Sequence, residues 1–276
     1  RTVDIALEEH EYFDQIEQKM DCVIAPDQRA WYIATRDADF QGREERMWQE
    51  YPSTPKEAFQ VSTAGNYYAK DMIAVRKRGG ICKVPVLDLP INTFWDIGNS
   101  DGCAIWFQQD LRGEDRFIDY YEAHGEDLRH YVTELRAKGY LFGTHFLPHD
   151  AEHRKLSDYN RNTLEMLQDL MPSERFVIVP RISELITGIQ MTRKHLKGAY
   201  IDEVGCKLGI QRVEGYRKKF SRVDNRYLDI PDKSNGCTEG ADALRQWAQA
   251  KELGMLDSLS LRNTAYIEPP APDWRL

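Results

Sequence analysis

The chain lacks paired cysteines. Its five (Cys22, Cys82, Cys103, Cys206 and Cys237) contain no Cys-x-x-Cys, are odd in number and are widely spaced. That argues against a disulfide framework and fits reduced thiols serving as small buried hydrophobes. No apolar run approaches the ~20 residues that span a bilayer, so no membrane partner is expected. No charged-then-apolar leader opens the sequence, and Arg1-Thr2-Val3-Asp4 has no initiator Met; we expect a piece excised from a longer chain. Gly-x-Ser-x-Gly, His-Glu-x-x-His and Gly-x-x-x-x-Gly-Lys-Ser/Thr are all missing. Their absence removes the serine-hydrolase elbow, the helical zinc site and the P-loop route to ATP. Internal repeats and low-complexity tracts are absent too.

What is present is an ordinary core-forming composition with uneven charge. Of 276 residues, 41% are hydrophobic and 30% charged, with a net charge of −8. Residues 1–60 hold 14 Asp/Glu against 7 Lys/Arg, so nearly all of the excess lies there. Lys70 to Lys83 holds five basic residues and one acidic, and Arg212 to Arg226 six basic and two acidic. Basic clusters beside an acidic centre suit a phosphodiester substrate, although charge runs are more often simply solvated faces.

Residues 1–60 read as polar helix, with turn signals at Pro26-Asp27 and Gln41-Gly42, and Tyr51-Pro52-Ser53-Thr54-Pro55 breaks any helix. We take 1–60 as an acidic helical region, 61–90 as a linker, 91–256 as the main domain and 257–276 as an extended tail. In the main domain, 91–97, 103–107 and 116–121 read as three closely spaced strands, with Arg112-Gly113-Glu114-Asp115 as a hairpin turn. Helix then alternates with strand. Leu128, Tyr131, Val132 and Leu135 fall at helical spacing, 141–147 and 176–179 are strands, 164–170 and 182–189 are helical, and a last helix runs from Thr238 to Leu253. This order predicts a ribonuclease H-like fold: a mixed five-stranded sheet with helices on both faces, preceded by a helical connector.

Three aspartates stand at strand ends or helix starts in that scheme: Asp96 in Trp95-Asp96-Ile97-Gly98, Asp150 in Pro148-His149-Asp150-Ala151, and Asp242 in Ala241-Asp242-Ala243-Leu244-Arg245. Ligands collect along such an edge of an α/β sheet. Three converging carboxylates are the donor set that Mg²⁺ or Mn²⁺ demands. Two such ions held about 4 Å apart can activate water and relieve a departing alkoxide, which is phosphodiester hydrolysis. Asp96 is the candidate bridge, with Asp150 and Asp242 each completing one ion. Asp101 and Glu239 are auxiliary ligand candidates, Glu122 is an alternative to Asp150, and His149 is a candidate partner behind Asp150. Gly98 would let a phosphate approach. Taken singly, each aspartate has a plain alternative: turn chemistry for Asp96, an N-cap for Asp150, a polar helix residue for Asp242. The basic runs Arg76-Lys77-Arg78 and Arg217-Lys218-Lys219 are candidate contacts to a DNA backbone.

Several of these stretches resemble one family. Glu50-Tyr51-Pro52-Ser53-Thr54-Pro55-Lys56-Glu57-Ala58-Phe59 resembles the segment joining the two halves of tailed-phage large terminase subunits. Asp96-Ile97-Gly98, Gly139-Tyr140 through Leu147-Pro148-His149-Asp150-Ala151, and Gly240-Ala241-Asp242-Ala243-Leu244-Arg245 are similar to its nuclease half, as are Tyr200-Ile201-Asp202-Glu203 and Tyr216-Arg217-Lys218-Lys219-Phe220. The likeness covers roughly residues 45–253, with one departure: relatives often carry a histidine where this chain has Glu239. The resemblance implies a two-metal endonuclease that cuts concatemeric double-stranded viral DNA during genome packaging. It also implies a preceding ATPase half outside this chain, the portal and small terminase subunit as partners, and a place in the host cytoplasm, docked on the procapsid. A cutter separated from its motor is expected to be weakly active. Two rival readings are a transposase or resolvase on the same fold, and a non-catalytic docking module of the motor.

Overall fold

The computed structural model describes residues 5–40, 42, 44–55, 57, 65–98, 102–153, 161–221, 223–224 and 226–256. The chain divides into two compact units, Arg1–Gly65 and Asn66–Leu276. Among its described residues the first holds helices α1 (Leu7–Met20), α2 (Pro26–Asp39) and α3 (Glu44–Glu50), closed over Phe13, Ile16, Tyr32, Ile33 and Met47. Pro26 occupies the first turn of α2, where its missing N–H costs nothing. Arg29 and Arg36 tie the helices together through Asp14, Glu17 and Glu9.

The second unit is built on a seven-stranded sheet in the order β1-β7-β4-β3-β2-β5-β6. Its middle is the expected one: β2 (Ile91–Ile97), β3 (Gly102–Leu111), β4 (Glu114–His124), β5 (Phe142–Pro148) and β6 (Arg175–Val179). The first three form an antiparallel meander, and β5 and β6 add on parallel to β2. The fold is ribonuclease H-like. Arg112 and Gly113 both take positive φ (54° and 86°), which makes the tight two-residue hairpin that matches strand twist.

Two strands exceed the five expected from sequence. β1 (Ile81–Cys82) and β7 (Tyr200–Asp202) pair parallel and extend the β4 side. At two and three residues they are too short to show alternation. Residues 66–90, read from sequence as linker, carry helix α4 (Ala69–Lys77) as well as β1. The stretch after β1 is strapped down by side chains: Gln109 bonds the backbone of Leu87 and Leu89, and Arg116 donates to the Pro85 carbonyl. The tail expected over 257–276 lies outside the described residues.

Each face of the sheet has its own core. On one, α5 (Leu128–Ala137) and α6 (Thr163–Leu170) cover Trp95, Ile105, Phe107 and Leu147. On the other, α4, α7 (Leu185–Leu196), α8 (Lys207–Gly215) and α9 (Thr238–Glu252) cover Phe94, Ala104, Trp106 and Phe146. Strand alternation puts Asp96 on the second face with Phe94. Helix α9 is buried nearly all round, and its small residues Gly240, Ala241, Ala243 and Ala248 let it lie close to the sheet. Trp106 Nε1 donates to the Gly240 carbonyl at 2.8 Å, fixing the start of α9 over β3. A Cβ on Gly240 would stand 2.5 Å from Tyr120 Oη and 2.8 Å from Arg212 Cβ, so Gly240→Ala is expected to destabilise the unit by about 1–3 kcal/mol in denaturant melts.

His145 in β5 is fully buried, with Nδ1 2.6 Å from Thr93 Oγ1 and Nε2 left without a hydrogen bond. Burial pulls its pKa down to about 4. As pH falls from the ordinary value near 6.5 toward 4, the unfolded chain takes a proton that the folded chain refuses, and stability drops. Between about pH 7 and pH 5 this amounts to about 2 kcal/mol. Urea melts at the two pH values should show that loss in the parent and a smaller one in His145→Gln.

Candidate active site

Asp96 lies one residue before the end of β2, and Asp150 two residues past β5, the parallel neighbour of β2. Both therefore stand at carboxyl ends of adjacent parallel strands. Asp242 comes down from the second turn of α9, onto the face that carries Asp96. The structure gathers them electrostatically. Burial raises the Asp96 carboxyl well above the usual range, and Asp242, Asp150 and Glu239 push it further, against the pull of Arg245. Burial likewise raises Asp242, while Arg245 and Tyr216 oppose and Glu239 adds to the rise.

The plain alternatives do not describe these positions. Asp96 is inside a strand, paired with Ala104, and not in a turn. Asp150 follows Pro148, the residue that caps the short 3₁₀ turn His149–Glu152, and its own Oδ1 is buried without a partner. Asp242 is not a solvated helix residue: its side chain is 19% exposed and paired with Arg245.

Among the described residues, no group of three or more His, Cys, Asp or Glu side chains closes up tightly enough to hold a metal ion as it stands. The donor chemistry nevertheless fits a hard divalent cation. All the gathered donors are carboxylate oxygens, and two of them, Asp150 Oδ1 and Glu239 Oε2, are buried with no hydrogen-bond partner. Asp101 falls outside the described residues.

Sequence reasoning did not single out the groups that hold this cluster. Arg245, one turn after Asp242 on α9, donates from Nη1 to Asp242 Oδ1 at 2.6 Å. Burial alone would weaken that guanidinium's charge, but Asp242, the Tyr216 and Tyr68 hydroxyls and Asp96 outweigh it, and its pKa rises. Tyr216 Oη reaches the same Oδ1 at 3.4 Å, and the Tyr216 ring stacks on Tyr68 at 5.8 Å. The i, i+3 spacing of Asp242 and Arg245 was the available signal.

The remaining candidates are placed as follows. Glu122 shares the face and the row of Asp96 (Asp96 faces Ala104, which faces Glu122). Its charge is matched by Arg212, at 3.0 Å from Nε and 2.5 Å from Nη2, and by the Tyr120 hydroxyl. His149 stands edge-on to His153, centroids 5.8 Å apart. At Gly98 the need for glycine comes from the neighbouring backbone: a Cβ would sit 2.9 Å from the Gly102 carbonyl oxygen. Of the basic runs, Arg78 is used internally, donating to the Ala199 carbonyl and lying over Tyr200. Arg76 pairs with Glu214, Arg217 with Asp232 and Lys218 with Asp229. Lys77 and Lys219 are exposed. The second run leads from Tyr216 into the two-stranded ribbon of β8 (Lys218–Ser221) and β9 (Arg226–Pro231).

No protein-family model matches the sequence, and no curated protein matches it significantly. Among solved structures, the chain is similar to the large terminase of a thermophilic bacteriophage in complex with ADP, at 15% identity and a TM-score of 0.49 over 63% of this chain. That match covers 42% of the phage protein, so the chain spans less than half of its length. The chain is also similar to the nuclease domain of the bacteriophage SPP1 large terminase with bound Mn (12% identity, TM-score 0.43, 62% of this chain and 94% of that one). A third similar structure is the large terminase nuclease from thermophilic phage G20c with bound magnesium (11%, 0.43, 68% and 97%). Likeness of this depth concerns the path of the chain; function rests on the side chains.

The cluster predicts opposite effects for two aspartates that act on each other. In chelator at neutral pH, Asp96→Asn removes a buried like charge and should stabilise the fold by about 1 kcal/mol or more. Asp242→Asn strands the Arg245 guanidinium and should cost about 2 kcal/mol. Paired denaturant melts read both signs directly.

Proposed function

We propose that this chain is a divalent-metal-dependent endonuclease that hydrolyses phosphodiester bonds of double-stranded DNA, in the setting of viral genome packaging. The observation that supports the reading is that Asp96 and Asp150 stand at the ends of adjacent parallel strands, and that Asp150 Oδ1 and Glu239 Oε2 are buried without partners. Asp96, Asp150 and Asp242 would hold Mg²⁺ or Mn²⁺, with Glu239 and Asp101 as further donors. Two bound ions would supply an activated water and charge relief for the leaving oxygen.

The chain's own residues do the rest. The neighbouring strands β2 and β5 hold Asp96 and Asp150 at one edge, and α9 delivers Asp242 from above. The tryptophan bond to Gly240 keeps that helix seated. The exposed Lys77 and Lys219 are our candidates for contacts to a phosphate backbone that do not read bases. The products would carry a 3′-hydroxyl and a 5′-phosphate. In this reading residues 91–256 are the nuclease proper, residues 1–60 the end of a motor ATPase region, and the portal and small terminase subunit the partners on a procapsid in the host cytoplasm. No helix among the described residues is long and apolar enough to cross a membrane.

Supercoiled plasmid incubated with the protein and Mn²⁺ should be nicked and linearised. Chelator should abolish cutting, and Asp96→Asn should lower the rate at least about a hundredfold, an effect of the size expected for a lost transition-state contact. Cutting by Asp96→Asn at the parental rate would sink the assignment. Joining of a labelled donor end to the plasmid would favour the transposase reading, and an inert parent that still binds duplex would favour a docking module.

A further inference from the structure

Arg245 does not serve as an ordinary surface ion pair. It lies between α9 and α7 in a berth made by Gly188, where a Cβ would stand 2.6 Å from Arg245 Cδ and 3.0 Å from Gln249 Nε2. The side chain is 16% exposed, and its Nη1 donates to Asp242 Oδ1. The Tyr216 hydroxyl falls on that same oxygen. Both contacts fall on Oδ1, which leaves Oδ2 as the oxygen of Asp242 that a cation could take.

We infer that Arg245, seated over Gly188, is a positioning residue for the cation site: it turns Asp242 to present a single oxygen and acts as resident counter-charge for the carboxylate cluster. The inference rests on the metal-dependent reading above. Two consequences with opposite signs follow. A fixed positive charge beside a cation site weakens cation binding, so its removal tightens it. A released Asp242 no longer presents one defined oxygen, so the reaction slows even when the site is full.

The test measures Mn²⁺ binding to the full chain by calorimetry, alongside plasmid cutting at saturating Mn²⁺. In Arg245→Gln, Mn²⁺ should bind about tenfold more tightly, the order of effect of removing a nearby unit charge from beside a divalent ion in a water-like dielectric. Cutting at saturation should fall at least about tenfold, the cost of a misplaced reacting group. Arg245→Lys should return the Mn²⁺ affinity to the parental value and recover part of the rate. Gly188→Ala keeps the charge but expels the side chain from its berth; it should lose rate without the gain in affinity, and it decides the matter if Arg245→Gln does not fold. An arginine that merely braces the fold predicts weaker Mn²⁺ binding together with lower stability, and that result overturns the inference, as does an unchanged rate in Gly188→Ala. A parent protein that takes up no Mn²⁺ overturns the metal-dependent reading itself, and the inference with it.

Discussion

Confined like charge is the constraint around which this domain is organised. Burial raises the carboxyls of Asp96 and Asp242, and the charges of Asp150 and Glu239 add to the rise at Asp96. A fold accepts such repulsion only when the surrounding structure over-determines the positions of the charged groups. Here the sheet fixes Asp96 by flanking its strand on both sides, with β3 and β5. Helix α9 is locked by small residues against the sheet and by Gly240 against Tyr120 and Arg212. The guanidinium of Arg245, paired with Asp242, offsets part of that repulsion.

The neighbouring carboxylate on β4 shows how the same face treats acid groups that are meant to stay quiet. Glu122 sits in register with Asp96 across Ala104, yet it is closed off by Arg212 and the Tyr120 hydroxyl. Two acids of one row thus receive different environments. One is saturated by donors from α8 and β4, and the other is left facing further acids.

Much of the architecture was legible before any coordinates. The five central strands, the hairpin at Arg112-Gly113 and the helices over 128–137, 163–170 and 238–252 follow from alternation, glycine placement and helical spacing. The short strands β1 and β7 were not, because their two and three residues are defined only by pairing partners remote in the sequence. Helix α4 was hidden by flanking Gly79-Gly80 and Pro85, which read as connecting chain. Asp96, Asp150 and Asp242 could be singled out because each falls at a strand end or helix start that is readable from local sequence. Arg245 and Tyr216 could not, since their roles depend on a berth at Gly188 and an aromatic stack with Tyr68 that no local pattern encodes.

The indole–carbonyl bond from Trp106 to Gly240 has a consequence for evolution as well as for stability. A helix lying along a sheet can slip by one residue with little change in its own backbone, and each step swings its side chains about 100° around the axis. Such a slip would carry Asp242 off the sheet and put a methyl group in its place. The bond between ring nitrogen and main-chain oxygen works as an index pin that admits one rotational setting, so insertions or deletions just before Thr238 can be absorbed in the preceding loop while the aspartate keeps its heading.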